Sequence, residues 1–287
     1  MINPIALENR CTGCGACYAI CPTKSISMVD DQYGFRVCKI NPDTCVRCDL
    51  CEKVCHLQYW DNFESKHNLS YYYGGWSNPN YMNINSTSGG IATSLSQIFL
   101  ADGGVVCGAC FDSGITSLHH ILTDDDETLS KLAGSKYIQS NMEEAFTLIK
   151  DVLKNRKVLF VGTPCQVASI KSFLGGGNAN LYTIDFFCLG VPSPLAWQKF
   201  VDFLEKKYSA KLITYNFRSK RYGWGKIRQT ATFKPKRIFF DGGLLNAFHY
   251  WFGEHWSLRT SCFYCNYRKE ERVSDITLGD FWKIEQF

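Results

Sequence analysis

A chain of 287 residues, 45% of them hydrophobic, can bury one sizeable core and a small additional module. A net charge of only +4 argues against nucleic acid as the main partner. Fifteen cysteines at this length, with no charged-then-apolar leader after Met1, argue against a secreted disulfide scaffold and point to a reducing cytoplasm. No stretch approaches the ~18 apolar residues of a membrane span.

The first strong pattern is Cys11-x2-Cys14-x2-Cys17-x3-Cys21-Pro22, which returns as Cys45-x2-Cys48-x2-Cys51-x3-Cys55. Three thiols on one tight loop can meet three corners of an iron–sulfur cube, while the fourth points elsewhere. In two-cluster ferredoxins that fourth thiol ligates the other cluster. The spacing therefore predicts one 4Fe–4S cluster on Cys11, Cys14, Cys17 and Cys55. It predicts a second on Cys45, Cys48, Cys51 and Cys21. A zinc site needs four ligands, not a three-plus-one run occurring twice. His56 follows the second run where proline follows the first, which loosens that turn without removing a ligand. Cys38 lies outside both runs and reads as a core thiol.

Residues 1–60 are expected to form this ferredoxin-like module, with short strands at Ser25–Val29 and Phe35–Cys38 around a turn at Asp31–Gly34. A polar stretch without periodicity marks a linker over 61–73. Residues 74–287 form the second domain. There, Ile91, Leu95, Ile98 and Phe99 are spaced as one helix face, with Ser88 as candidate N-cap and Gly103-Gly104 as the stop. Val105–Phe111 reads as a buried strand, and Phe146, Ile149 and Leu153 mark a helix. Lys157–Val161 is a strand, followed by a helix carrying Val167, Ile170 and Phe173, then a strand at Leu181–Phe187. Ser193-Pro194 opens a helix with Trp197, Val201, Leu204 and Tyr208. This alternation predicts an α/β domain with a largely parallel sheet. Strands at Leu212–Arg218, Ile227–Phe233 and Arg237–Phe240 suggest a smaller, β-rich, antiparallel part. The fold class is thus α+β overall: a two-cluster module, then an α/β domain with a β-rich C-terminal portion.

Four more cysteines stand out. Cys165 follows a strand at a helix start, and Cys188 ends the next strand. Ligands of such sheets gather at the carboxyl ends of strands, so these thiols can converge. Cys262-x2-Cys265 supplies two more on one loop. By spacing alone three readings stand. They are a third 4Fe–4S cluster, a zinc site at Cys262 and Cys265, or a reactive Cys165 thiol at a helix N-terminus.

Taken in order, the motifs are the cysteine runs, Ser88-Gly89-Gly90, Gly134-Ser135-Lys136-Tyr137 and Gly162-Thr163-Pro164-Cys165-Gln166. Then come Cys188-x-Gly190-x2-Ser193, Arg259-x2-Cys262-x2-Cys265 and Asp275-Ile276-x2-Gly279-Asp280-Phe281-Trp282. This order resembles the beta subunit of coenzyme F420 hydrogenase/dehydrogenase, a family that includes the reductase acting on 7-hydroxymethyl chlorophyll. The resemblance implies an iron–sulfur flavoprotein with FAD between the clusters and a substrate or deazaflavin coenzyme. It also favours the third cluster on Cys165, Cys188, Cys262 and Cys265. Members continue beyond the Gly-Asp-Phe-Trp motif, so the end at Phe287 sets an expectation of a truncated C-terminal region.

A flavin diphosphate needs backbone N–H donors at a helix start. Ser88, Gly89 and Gly90 fit, as do Gly162 and Thr163. By pattern alone, Gly89-Gly90 is as well a tight helix entry; the resemblance favours the cofactor. Ser135, Lys136 and Tyr137 could set a cation and a ring beside it. Lys206–Arg237 carries eleven cations, no acid, and interleaved Tyr215, Phe217, Tyr222, Trp224 and Phe233. It is either a solvated face or a dock for an anionic coenzyme or substrate. Tyr222–Gly225 reads as an aromatic loop near such a site. His249 and His255 read as core or surface residues, and no residue is assigned a catalytic role. The expected function is an oxidoreductase relaying electrons from a ferredoxin-type donor, or a hydrogenase or dehydrogenase subunit, to a small two-electron acceptor. The alternative is a non-catalytic electron-transfer subunit.

Overall fold

The computed structural model describes residues 9–58, 71–78, 86–220, 228–235, 239–241 and 246–281. The expected linker over 61–73 lies outside them except for 71–73. The aromatic loop 222–225, Arg221, Lys226, Lys236, Arg237 and Trp282 also lie outside.

In the N-terminal part, helix α1 (Ala16–Ile20) follows the first cysteine loop. Strands β1 (Ile26–Asp30) and β2 (Arg36–Ile40) pair antiparallel, with Met28 opposite Cys38. The turn forms as the sequence predicts because Asp31 accepts the backbone N–H groups of Tyr33 and Phe35, each at 2.9 Å. Helix α2 (Leu50–Lys53) follows the second loop. The two loops share a backbone shape. Gly13 and Gly15 sit at φ +67° and +87°, and the equivalent Arg47 and Asp49 at +53° and +59°. A side chain in this left-handed region costs about 1–2 kcal/mol per residue. The second loop keeps the shape at that cost, so the repeated element is the geometry around the thiols.

Beyond residue 86 the chain builds α3 (Ile91–Ala101), β3 (Val105–Phe111), β4 (Leu118–Thr123), α4 (Asp126–Leu132), β5 (Ser140–Asn141), α5 (Ala145–Val152) and β6 (Val158–Val161). It continues with α6 (Pro164–Phe173), β7 (Leu181–Phe186), α7 (Pro194–Tyr208), β8 (Lys211–Ser219), β9 (Arg228–Lys234), β10 (Phe239–Asp241), α8 (Asn246–Gly253), α9 (Thr260–Phe263) and β11 (Ile276–Leu278). One sheet has the order β11-β7-β6-β3-β4-β5, parallel throughout except at β3·β4. Successive residues alternate between its faces. Val105, Cys107, Val158 and Phe160 pack with Phe146, Ile149, Val167 and Ile170 of α5 and α6. Val106 and Leu159 pack on the other side with Leu129 of α4 and with Leu95 and Phe99 of α3. Ala16 and Val54 join the first of these cores, so the cysteine-rich module shares an interior with the sheet domain.

Two local expectations change. The N-cap of α3 is Gly90 at φ +76°, without a side-chain cap; the Ser88 hydroxyl turns instead to the Asp280 carboxylate. Ile98 faces solvent, while Thr93 and Ser96 face inward. The antiparallel strands β10-β9-β8 form a separate sheet under α7. Trp197, Phe200 and Leu204 fill it against Leu212, Tyr215, Phe217 and Phe233. Among the interleaved aromatics of the basic stretch, Tyr215, Phe217 and Phe233 are thus the inward half of an alternating pattern, not a stacking surface. Among its described cations, Arg218 pairs with Asp280 and Lys211 with Glu205. Among the described residues no helix is long and apolar enough to cross a membrane.

His120 on β4 is buried, stacked on Phe160 with ring centres 5.2 Å apart, and bonded through Nε2 to the Val161 carbonyl at 3.2 Å. Burial lowers its pKa to about 4. The unfolded chain therefore binds the proton first, and stability falls as pH drops from about 6.5 towards 4. His120→Phe is expected to lose about 1–2 kcal/mol less than the parent chain between pH 7 and 5, read from urea midpoints at the two pH values.

Candidate metal centres and cofactor site

All fifteen cysteines are free thiols. Cys11, Cys14, Cys17 and Cys55 line one pocket, the set that the three-plus-one spacing predicts. Gly13 makes the loop possible: a Cβ there would stand 2.5 Å from the Arg36 carbonyl and 2.6 Å from Arg259 Nη2. Cys38 is buried and lines the same pocket, so it is a core thiol turned towards the site. The other predicted set stands on the outer side, with Cys21, Cys45 and Cys51 half-buried and Cys48 exposed. Cys21 Sγ accepts the Ser25 N–H at 3.3 Å. Desolvation raises its pKa, but the bonds from Thr23 and Ser25 together outweigh it and draw the pKa down.

Cys165, Cys188, Cys262 and Cys265 line a second pocket. Cys165 lies in the first turn of α6, whose start is held by the Thr163 N–H donating to Gln166 Oε1 at 2.9 Å. Cys188 follows β7. The loop after it pairs with the segment carrying Cys262: Ser193 N–H donates to the Ser257 carbonyl at 2.7 Å and Arg259 N–H to the Val191 carbonyl at 3.0 Å. Gly190, at φ +140°, is needed where the two meet, since a Cβ there would lie 3.1 Å from Cys262 Cβ. Burial pushes the Cys188 thiol up to about 12, and the thiols of Cys262 and Cys265 add to the shift. A cationic centre inverts such shifts. Among the described residues no three His, Cys, Asp or Glu side chains close around the point a single ion would occupy. Four thiols around one pocket are a donor set that could take the separate corners of a four-iron cube.

The two pockets share a wall, because Thr12 and Leu57 line both. In that wall His56 is buried and bonded on each side, to Thr12 Oγ1 at 2.9 Å and to the Tyr267 hydroxyl at 2.5 Å. The Tyr267 pKa is raised by burial and by Cys165, Cys14, Cys265 and Cys55, thiols of both groups. Arg259 crosses the same region, donating to the carbonyls of Cys11 and Arg36 at 3.0 and 2.8 Å and to Gln139 Oε1 at 2.7 Å. Gln139 in turn donates to the carbonyls of Thr12 and Gly13, both at 3.2 Å. None of His56, Tyr267, Gln139 or Arg259 stood out as a site residue in the sequence beyond the Arg259-x2-Cys262 motif.

The residues expected at a flavin divide into two groups. Ser88, Ser135 and Tyr137 gather at one corner. Thr87 bonds Ser135 at 3.0 Å, and Ser88 meets Asp280, which Arg218 holds at 2.8 Å. Tyr137 is raised by burial and lies close enough to Arg218 and Asp280 to feel both charges. Lys220 reaches Ser86 at 3.2 Å. Gly90 opens α3 beside them, whereas Gly89 is close-packed on the backbone of Gly75 and Trp76. The remaining three have other work. Lys136 Nζ donates to the carbonyls of Leu132, Ala133 and Gly134 at 2.9–3.2 Å, closing the end of α4. Burial lowers it to about 8. A Cβ on Gly162 would strike the Phe160 ring at 2.7 Å, and the Thr163 amide is taken by Gln166. Arg218 and Asp280 are the additions that the fold makes. They lie 62 positions apart in the sequence, so no local pattern signals their pairing.

Residues 155–286 match the family model for the C-terminal part of the coenzyme F420 hydrogenase/dehydrogenase beta subunit, and residues 10–58 match the 4Fe–4S dicluster domain. The chain is 43% identical over 61 residues to an iron–sulfur subunit of the CoB–CoM heterodisulfide reductase of Methanocaldococcus jannaschii, covering 17% of this chain and 9% of that protein. It is 37% identical over 62 residues to a polyferredoxin-like protein of the same organism, covering 19% of this chain and 37% of that one. The match to either relative thus spans well under two thirds of its length. Among solved structures, a chain of the F420-reducing [NiFe] hydrogenase complex from Methanosarcina barkeri aligns at TM-score 0.46 and 16% identity, over 67% of this chain and 63% of that one. The chain is therefore an iron–sulfur electron-transfer protein with an N-terminal 4Fe–4S dicluster domain, and through residues 155–286 it is related to the coenzyme F420 hydrogenase/dehydrogenase beta subunit.

Proposed function

We propose that this chain is an iron–sulfur flavoprotein oxidoreductase that passes electrons inward from a protein donor to a small two-electron acceptor. The observation that carries the reading is the shared wall between the Cys11/Cys14/Cys17/Cys55 pocket and the Cys165/Cys188/Cys262/Cys265 pocket. On this reading each set holds one 4Fe–4S cluster, and Cys21, Cys45, Cys48 and Cys51 hold the outermost. The domains are 1–60 for intake, 61–73 as linker and 74–287 for the third cluster and cofactor, in a cytoplasmic protein. The donor is a ferredoxin or a hydrogenase or dehydrogenase subunit, and deazaflavin coenzyme is one acceptor of the right chemistry.

A bound FAD supplies the conversion between single electrons and hydride. Arg218 and Lys220, with the hydroxyls of Ser86, Thr87, Ser88 and Ser135, are the residues that would hold its diphosphate. Asp280 keeps the Arg218 guanidinium oriented. Tyr137, stacked on Phe252 at 4.8 Å, offers a fixed ring.

A second reading, a non-catalytic electron-transfer subunit, is favoured by the apolar surface next to the third thiol group. Phe187 and Tyr264, beside Cys188 and Cys265, are 71% and 70% exposed and suit docking of a partner protein. Iron, sulfide and flavin analysis of anaerobically purified protein separates the two. About twelve irons and one FAD per chain are expected, at ~4 irons per cluster. About twelve irons without flavin favours the subunit reading. About eight irons without flavin sinks the third cluster as well.

A further inference from the structure

Arg259 is a buried cation whose partners carry no charge. It is 4% exposed. Its guanidinium donates to two carbonyls and one amide oxygen, lies over the Phe35 ring at 4.8 Å, and leaves its buried Nε without a partner. An uncompensated charge in such a place is costly, so an anion is expected within reach. The groups whose charges act on it are, in order, Cys11, Cys262, Asp31 and Cys165. Three of the four are thiols, and they come from both sides of the shared wall.

We propose that Arg259 is the common counter-charge of the two inner iron–sulfur centres and holds their reduction potentials above that of the outer one. The proposal rests on the ligand sets assigned under the proposed function. Its sign follows from charge alone. Each electron taken up makes a centre one unit more negative, and a fixed cation nearby stabilises that reduced form. Net charge, hydrogen bonding and exposure are the levers that set such potentials. The outer set, with Cys48 exposed, has only solvent-exposed cations such as Arg47 and Lys53 along its loop, whose charge water screens. An electron arriving at the outer centre would therefore run downhill to the wall.

Arg259 acts through position, so its test reads potentials rather than turnover. Anaerobic redox titrations followed by electron paramagnetic resonance would compare the parent chain with Arg259→Gln, Arg259→Lys and Gln139→Glu. Arg259→Gln is expected to lower two couples, each with at least a tenfold change in the reduced-to-oxidised ratio, about 59 mV for one electron. The third couple should stay in place. Arg259→Lys keeps the charge and should restore most of the shift. Gln139→Glu leaves the arginine but sets a carboxylate against it, and should lower the same two couples. Unmoved couples in an iron-replete Arg259→Gln chain would overturn the proposal, as would equal movement of all three. If that variant loses iron, Gln139→Glu decides, and iron loss in both marks a structural role instead. An eight-iron parent chain would point to failure of the ligand assignment itself, not of the tuning.

Discussion

Cys165→Ala should lower the iron content by about four atoms per chain, a third of a twelve-iron protein, and leave the eight N-terminal irons in place. Alanine is chosen because a serine oxygen could still ligate. The substitution spares the fold at this point: Pro164 still opens α6, and the Thr163 amide still donates to Gln166. What is lost is one of four thiols around a pocket that no other cysteine lines. The N-terminal sets draw on other residues, since Cys11, Cys14, Cys17 and Cys55 surround their own pocket. Iron and sulfide assays, with spectra of the reduced protein, check the count. Unchanged iron with lost electron transfer would make Cys165 a redox thiol at a helix start, the reading left open by its spacing.

Arg272→Met is expected to destabilise the sheet domain by about 3–5 kcal/mol, because it strands a carboxylate that has no access to water. The Asp185 side chain is 0% exposed and accepts from Arg272 Nη2 at 3.1 Å and from Thr277 Oγ1 at 2.6 Å. Arg272 also donates to the carbonyls of Tyr267 and Phe186, so one side chain ties β7 to the segment after Cys265. For a domain of this size the loss corresponds to a fall in melting temperature on the order of 10 °C. Scanning calorimetry measures it, and hydrogen exchange should rise first in β11, the strand that this segment leads into. Lys154→Met, which removes an exposed pair to Asp151, should stay within about 0.5 kcal/mol of the parent. A similar loss in both would show that burial is not the cause.

The parts legible in the sequence are those that short-range geometry controls. The cysteine runs are readable because three thiols of one cluster must sit on one loop, a constraint spanning a few residues. The β1–β2 hairpin is readable because Asp31 and Gly34 carry its turn chemistry. The alternation of β3, α5, β6, α6, β7 and α7 is readable because burial imposes a period of two or 3.6. β4 escaped because Leu118-His119-His120-Ile121 interrupts the apolar run, and His120 is buried by stacking rather than by hydrophobicity. β5 and β11, of two and three residues, are too short to carry a period.

The tertiary structure alone decided which of the later residues meet. Cys165 and Cys265 are 100 positions apart and come together only because β6 and β7 are neighbours in the sheet and the loop after Cys188 pairs with the segment before Cys262. Ser88, Arg218 and Asp280 meet from three distant segments, while Lys136 and Thr163, alike in sequence appearance, are spent on helix ends. The reason is the range of the interactions. A ligand run or a turn is satisfied within its own few residues, and its spacing records it. A buried arginine such as Arg259 is held by the carbonyls of Cys11 and Arg36 and the amide oxygen of Gln139, which chain folding brings from three separate segments, and no spacing along the sequence records that.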